Sequence, residues 1–357
     1  MTRNLAAAFF LASSWFWCIG GFFPMLIVRD FGPEVFFFFF AFNTIGAAAF
    51  GFAWSNERRL NFLSRHAYPA QLFSLVVAGY HLVFVSWLTM LLGNAFVLAA
   101  YLLASAAFWG LRRKLFALSV GLFVLTALLF AFSLGQPIAE HAVNPAPASY
   151  LHGILPLALG FLIAPYFDLT FHRAYADSSS PRISFAIGFI GLFGALLIGV
   201  WFSIGRLESL LSPEAPHPAG LGLLVGLLVL QFAFTTAAHL SELAATTPLP
   251  PRLNLIVALV IGGLVAVHFA VALLAPELRV PLGLLTYRSF VFVIGGLFPL
   301  LILYRWDRRF VLAGAAIMVP CYSLGFLIGG SFVPFLSLAM AGLALLWVIQ
   351  RRQAASR

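Results

Sequence analysis

The chain has little charge, little cysteine and no long polar stretch. Asp, Glu, Lys and Arg make up 9% of its 357 residues, against roughly 25% in a soluble domain. That shortage excludes an ordinary soluble surface and points to a fold dissolved in lipid. There are 2 cysteines. Cys18 and Cys321 stand inside apolar runs without a neighbouring cysteine, a pattern that indicates neither a disulfide framework nor a zinc site. The basic residues are scattered through short loops and form no basic-aromatic patch, so nucleic acid is not an expected partner. No small-x-small pattern closes the first apolar run, which reads as a retained helix and not a cleaved signal. The longest outer loops, 136–150 and 205–218, carry several prolines or Pro-Ala pairs and read as irregular caps, not domains.

What the chain does have is apolar sequence: 62% hydrophobic residues and a mean hydropathy of +1.03. A membrane-spanning helix needs about 20 such residues. Candidate runs are 5–28, 35–54, 70–92, 94–110, 115–135, 151–170, 183–204, 219–240, 253–274, 281–304, 310–329 and 331–350. With the N-terminus inside and twelve alternating spans, the inner segments hold Arg3, Arg58, Arg59, Arg65, Arg112, Arg113, Lys114, Arg173, Arg182 and Arg252. They also hold Arg305, Arg308, Arg309, Arg351, Arg352 and Arg357. Only Arg29, Arg206 and Arg279 fall outside, and Arg288 lies within a span. This is the asymmetry of the positive-inside rule, and it accounts for the formal net charge of +9. The expected protein is an all-α polytopic membrane protein of about twelve transmembrane helices, with both termini cytoplasmic, in a bacterial inner membrane. The count falls to eleven if the last pair, separated by Gly329-Gly330-Ser331, is re-entrant.

Residues 160–177 are the organising stretch. An apolar run meets Pro165 and then Asp168, Thr170, His172 and Arg173 without a gap. Pro165 lacks a backbone donor and crowds the preceding turn, which predicts a kink or an opening. Broken helices with titratable groups beside the break are how membrane transporters build substrate and ion sites. The same residues also fit an interfacial anchor. Asp168 is expected to be ionised and to pair with His172 or Arg173.

Other polar groups stand inside apolar runs, where a partner or a water-filled path is required. Gly20-Gly21, followed by Pro24, is either a place to unwind the first span or close helix packing. Asn43 is a ligand or structural glue. His81, in mid-span, bonds to a neighbour, relays protons or binds haem. Gln231, Thr235, His239 and Glu242 recur at helical spacing and form one polar stripe. The adjacent hydroxyls of Thr235 and Thr236 suit a weakly held hard cation such as sodium, or bond back to their own helix.

With breaks at Gly20-Gly21…Pro24 and at Pro165, spans 1–5 and 6–10 become halves of opposite orientation, each opening on a broken helix. This arrangement resembles the five-plus-five inverted repeat of leucine-transporter-like secondary transporters, the APC superfamily. The resemblance covers roughly ten spans. Its divisions are a first repeat over 1–135, a second over 136–304, and two extra helices with a tail over 305–357. Pro165, Tyr166 and Arg173 are similar to the end of the sixth helix in solute–sodium symporters. The resemblance implies a sodium site between carbonyls at Gly20 and Gly21 and the Thr235-Thr236 hydroxyls. It also implies that the break around Pro165 lines the substrate cavity. The expected substrate-site residues are Gly20, Gly21, Asn43, His81, Pro165, Tyr166 and Asp168, and the expected gating cluster is Asp168, His172, Arg173 and His239.

The expected function is an ion-coupled symporter for a small solute, driven by Na⁺ or H⁺, with no cofactor and no enzymatic activity. The loop 51–59 is also similar to a degenerate second loop of major-facilitator transporters, but no long central loop divides the chain. A haem-bearing redox protein is the alternative from another class, resting on His81, His152, His239 and His268. Bis-histidine ligation needs two histidines at one depth on facing helices, and His152 and His268 lie nearer the outer ends. A membrane scaffold or sensor is the third reading.

Overall fold

A computed structural model describes residues 2–133, 160, 162–212, 220–304, 307–324 and 333–355. Among these residues every regular element is helical. Seven helices are long and apolar enough to cross a membrane, and a bent pair makes an eighth. The protein is thus an all-helical, integral polytopic membrane protein. The run expected to span 151–170 lies mostly outside the described residues, as do His152 and the loop 136–150.

The bent pair is the first span. Helix α1 (Arg3–Trp15) begins on Thr2, whose hydroxyl accepts from the Leu5 amide. Helix α2 (Cys18–Phe31) follows at an angle of 53°. A break was expected at Gly20-Gly21 and Pro24, and its position is corrected here: the chain leaves the helix at Phe16 and Trp17. Phe16 takes φ −79° and ψ 66°, and the Trp17 indole donates to the Ser14 carbonyl at 2.7 Å, occupying a group left open at the end of α1. Gly20 and Gly21 lie inside α2, where they admit Phe16, Phe193 and Leu228 against the backbone. They serve close packing.

Helix α3 (Glu34–Ala53) contains a π-helical turn at Phe42–Gly46. Helix α4 (Asn56–Leu92) starts on Ser55, whose hydroxyl accepts from the Arg58 amide, and stops at Gly93, where φ is 58° and a side chain would be strained. Its 37 residues extend for about 55 Å at 1.5 Å each, well beyond a hydrocarbon layer of ~30 Å. The charged first turns therefore project past the apolar layer. Pro69 cannot donate to the carbonyl of Arg65, and the helix is interrupted one residue later, at His66 (φ −125°, ψ 22°).

Helices α5 (Phe96–Gly110) and α6 (Leu115–Ser133) follow. A 3₁₀ turn at Ala164–Phe167 leads into α7 (Leu169–Asp177). Helix α8 (Pro181–Trp201) carries a second π-helical turn at Ala186–Phe193. Next come α9 (Leu221–Ala244) and α10 (Pro251–Leu274), the latter opened by a proline at the position where a missing N–H costs nothing. The last are α11 (Pro276–Leu303), α12 (Arg308–Tyr322) and α13 (Val333–Ala355).

The described residues form two compact units, with boundaries inside α2, α3 and α11. The larger comprises 2–26, 44–133, 165–212 and 220–284. Its central element is α9, packed against α1, α4, α5, α6 and α7. Of the seven unbroken spans, α9 is the most buried and α10 the least. The outer face of α10, with Leu255, Ile256, Leu259 and Val260 exposed, is apolar as a lipid-facing surface must be. Of the described residues, the smaller unit comprises 27–43, 160, 162–164, 285–304, 307–324 and 333–355. In it Asp30 receives Arg288 at 2.6 Å and Arg29 at 3.1 Å. The Tyr304 hydroxyl donates to the Leu343 carbonyl at 2.9 Å, joining α11 to α13.

Candidate functional site at two broken helices

The candidate site lies in the larger unit, where α7 begins and α1 ends, both against α9. The 3₁₀ turn containing Pro165 and Tyr166 closes with the Asp168 amide donating to the Pro165 carbonyl at 3.1 Å. Asp168 then caps α7. Its Oδ1 accepts from the amide and the hydroxyl of Thr170, each at 2.7 Å. A carboxylate at a helix N-terminus meets the unsatisfied amides and the positive end of the helix dipole. This local chemistry is why helix resumes at Leu169 after the proline break.

The other oxygen has no such partner. Asp168 is fully buried, and its Oδ2 faces His239 Nε2 at 3.9 Å. Neither atom has a hydrogen-bond partner among the described residues, and 3.9 Å is beyond the 2.7–3.2 Å of a real hydrogen bond. On its far side, His239 Nδ1 lies 3.1 Å from the Ser74 hydroxyl on α4. The imidazole is held edge-on to Trp17, with ring centroids 5.7 Å apart.

The stripe on α9 continues away from Asp168, and its members reach different neighbours. Thr235 donates to the Ser13 carbonyl in the last turn of α1, at 3.3 Å. Thr236, about 100° further round the helix, bonds instead to the Tyr101 hydroxyl at 2.9 Å and His81 Nδ1 at 3.1 Å. Gln231 donates to the Thr126 hydroxyl at 2.6 Å. The two threonines therefore do not form one two-oxygen face. Thr235 alone reaches the first break, and the carbonyl beside it belongs to Ser13, not to Gly20 or Gly21.

The expected pairing of Asp168 with His172 or Arg173 is also corrected. Residue 168 precedes the helix as its cap, so its carboxylate points back over the first amides. His172 Nε2 bonds to the Tyr166 carbonyl at 3.0 Å. Arg173 reaches Glu242 on α9 at 2.9 Å, and its guanidinium sits 5.5 Å from the Phe10 ring centre and 5.2 Å from that of Phe116. The Tyr166 ring packs among Phe50, Trp54 and Phe62. Asn43 is bonded to the Phe39 carbonyl of its own helix and belongs to the smaller unit.

Of the expected site residues, the structure brings Asp168 and His239 face to face, with Pro165 shaping the turn and Thr235 one helical turn further along α9 against Ser13. His81 and Thr236 form a neighbouring cluster on the same helix pair. Sequence reading passed over Tyr101 as a member of that cluster. Its signal was a tyrosine in an otherwise apolar short span, where a buried hydroxyl needs a partner. It also passed over Arg59, which is buried, donates to the His172 carbonyl at 3.2 Å and ties α4 to α7.

No family model and no curated protein matches this chain. Among solved structures, it is similar to the crystal structure of the Eremococcus coleocola manganese transporter in complex with an aromatic bis-isothiourea substituted compound. The alignment covers 98% of this chain and 95% of that one, at 12% sequence identity and a TM-score of 0.50. At that identity the likeness is one of fold, and it agrees with the polytopic helical architecture described above.

Proposed function

We propose that this protein is a secondary membrane transporter, an ion-coupled symporter for a small solute, built as a five-plus-five inverted repeat with two added helices and with both termini cytoplasmic. The single observation that carries the reading is the convergence of two helix breaks on one helix. The end of α1 and the start of α7 both present polar atoms to the buried stripe of α9. Buried polar groups beside irregular backbone are expensive in a membrane, and transporters retain them where cargo and coupling ions bind. The overall likeness to a solved transporter supports the same class. That protein is a manganese transporter; the site here offers one carboxylate, one imidazole and hydroxyls, which leaves the cargo class open to small polar solutes. Thr235 Oγ1 with the Ser13 carbonyl is the candidate contact for sodium.

Packing favours transport over the haem reading. His81 is stacked on Phe232, with ring centroids 5.4 Å apart, and His239 is wedged against Trp17 and Phe73. A porphyrin would have to displace those rings. The test is uptake by the purified protein in proteoliposomes, across a panel of labelled amino acids, organic acids, sugars and divalent cations, with imposed Na⁺ or H⁺ gradients. Gradient-dependent accumulation of one class is expected. Failure across the panel together with a Soret band in the purified protein would sink the reading.

A further inference from the structure

We propose that Asp168 and His239 form a proton-binding pair. One proton is taken up on Asp168 Oδ2 and shared with His239 Nε2, and its arrival draws α7 towards α9. The coupling role of the pair rests on the transport reading; the proton uptake itself does not.

The argument starts from two orphaned atoms. Oδ2 and Nε2 are both buried, face each other at 3.9 Å, and lack any hydrogen bond among the described residues. Each unmade bond carries a desolvation cost. A single proton relieves both: a carboxyl protonated on Oδ2 donates to Nε2 of the neutral imidazole, whose own proton then sits on Nδ1 towards the Ser74 hydroxyl. Bond formation requires an approach of about 1 Å to reach hydrogen-bond distance. The capping arrangement permits this. Both bonds from Thr170 end on Oδ1, so a proton on Oδ2 leaves the start of α7 intact. The pair therefore has two arrangements, apart and joined, without unwinding the helix that carries one of its members.

The surroundings suit a proton better than a metal ion. A calcium or magnesium site needs about six oxygen ligands and zinc four, and no group of three or more His, Cys, Asp or Glu assembles among the described residues. On α9, Glu242 lies near Asp168, but its charge is balanced by Arg173 at 2.9 Å. On α4, His81 is turned to Thr236, His66 bonds its own Phe62 carbonyl, and Arg59 points to the His172 carbonyl. On α7 itself, His172 bonds Tyr166 and Asp177 lies 3.9 Å from Arg173. The remaining charged groups on packed elements are Arg3 and Arg182 in the first turns of α1 and α8, Glu57, Arg58 and Arg65 in the first three turns of α4, and Arg112, Arg113 and Lys114 in the turn before α6. Among the described residues, His239 is the ionisable side chain whose nitrogen faces Asp168 Oδ2, at 3.9 Å.

Infrared difference spectroscopy of the full-length protein in lipid nanodiscs tests this without any knowledge of cargo. On acidification, the wild type should gain the carbonyl stretch of a hydrogen-bonded carboxylic acid. Asp168→Asn should lack that band. His239→Gln should shift its frequency, and Ser74→Ala, which touches only Nδ1 of His239, should shift its titration midpoint if His239→Gln fails to fold. A band fully retained in Asp168→Asn overturns the proposal. So does one whose frequency and midpoint are unmoved in both His239→Gln and Ser74→Ala, or one abolished by NaCl or MnCl₂ at constant pH. If the band behaves as expected while no solute is taken up by proteoliposomes, the proton site stands and the transport reading falls.

Discussion

Arg173 binds Glu242 across a helix interface at 2.9 Å, although Asp168 stands only five residues before it in the chain. The pair joins the helix that follows the break to the central helix of the larger unit. Both side chains are mostly buried, at 23% and 14% exposure. Removing one partner should cost more than an exposed pair and less than a fully buried one, roughly 1–3 kcal/mol. Arg173→Met and Glu242→Gln should each lower the melting temperature of the purified protein, and the double variant should lose less than the sum. Additive losses in this cycle would show that the two charges do not interact.

Thr235 and Thr236 should separate in their ion response. If sodium binds between Thr235 and the Ser13 carbonyl, Thr235→Ala should abolish sodium-dependent thermal stabilisation and Thr235→Ser should keep it. Thr236→Ala should retain the sodium response while disturbing Tyr101 and His81. A sodium response unchanged in Thr235→Ala would leave that hydroxyl as packing only.

The topology has a direct check, because both native cysteines are buried and give a low labelling background. Arg113→Cys should react with a membrane-impermeant maleimide in inside-out vesicles and stay silent in intact cells. Labelling from outside would remove the twelve-span orientation and the inverted repeat with it.

Gly51 should be intolerant of any side chain. A Cβ there would sit 2.6 Å from Phe185 Cβ and 2.9 Å from the Pro181 carbonyl oxygen, where the second half of α3 meets the start of α8. Gly51→Ala should cost about 1–3 kcal/mol as overpacking. Gly121→Ala, which meets nothing within 4 Å, should be neutral. Equal melting temperatures for the two variants would contradict this packing.

The sequence by itself determined the class and much of the helix inventory. Runs of about 20 apolar residues leave a chain no option in lipid but helices, since every backbone group must bond within its own segment. Pro165 announced a break, and the helical spacing of Gln231, Thr235 and His239 announced a face that had to be satisfied internally. Both signals are local, so they survive without a fold. Tertiary structure alone decided the partners. Five-residue spacing suggested Asp168 with Arg173, but Asp168 became a cap and turned its free oxygen to His239, 71 positions away in the chain. Adjacent Thr235 and Thr236 read as a pair until the turn of the helix sent one to α1 and the other to α4 and α5. The first break fell at Phe16-Trp17 and not at the glycines, because aromatic packing and an indole bond to Ser14 made that point the easier one to open. Pairing depends on which helices become neighbours and at what rotation, and the periodicity of one helix carries no record of the face its neighbour presents.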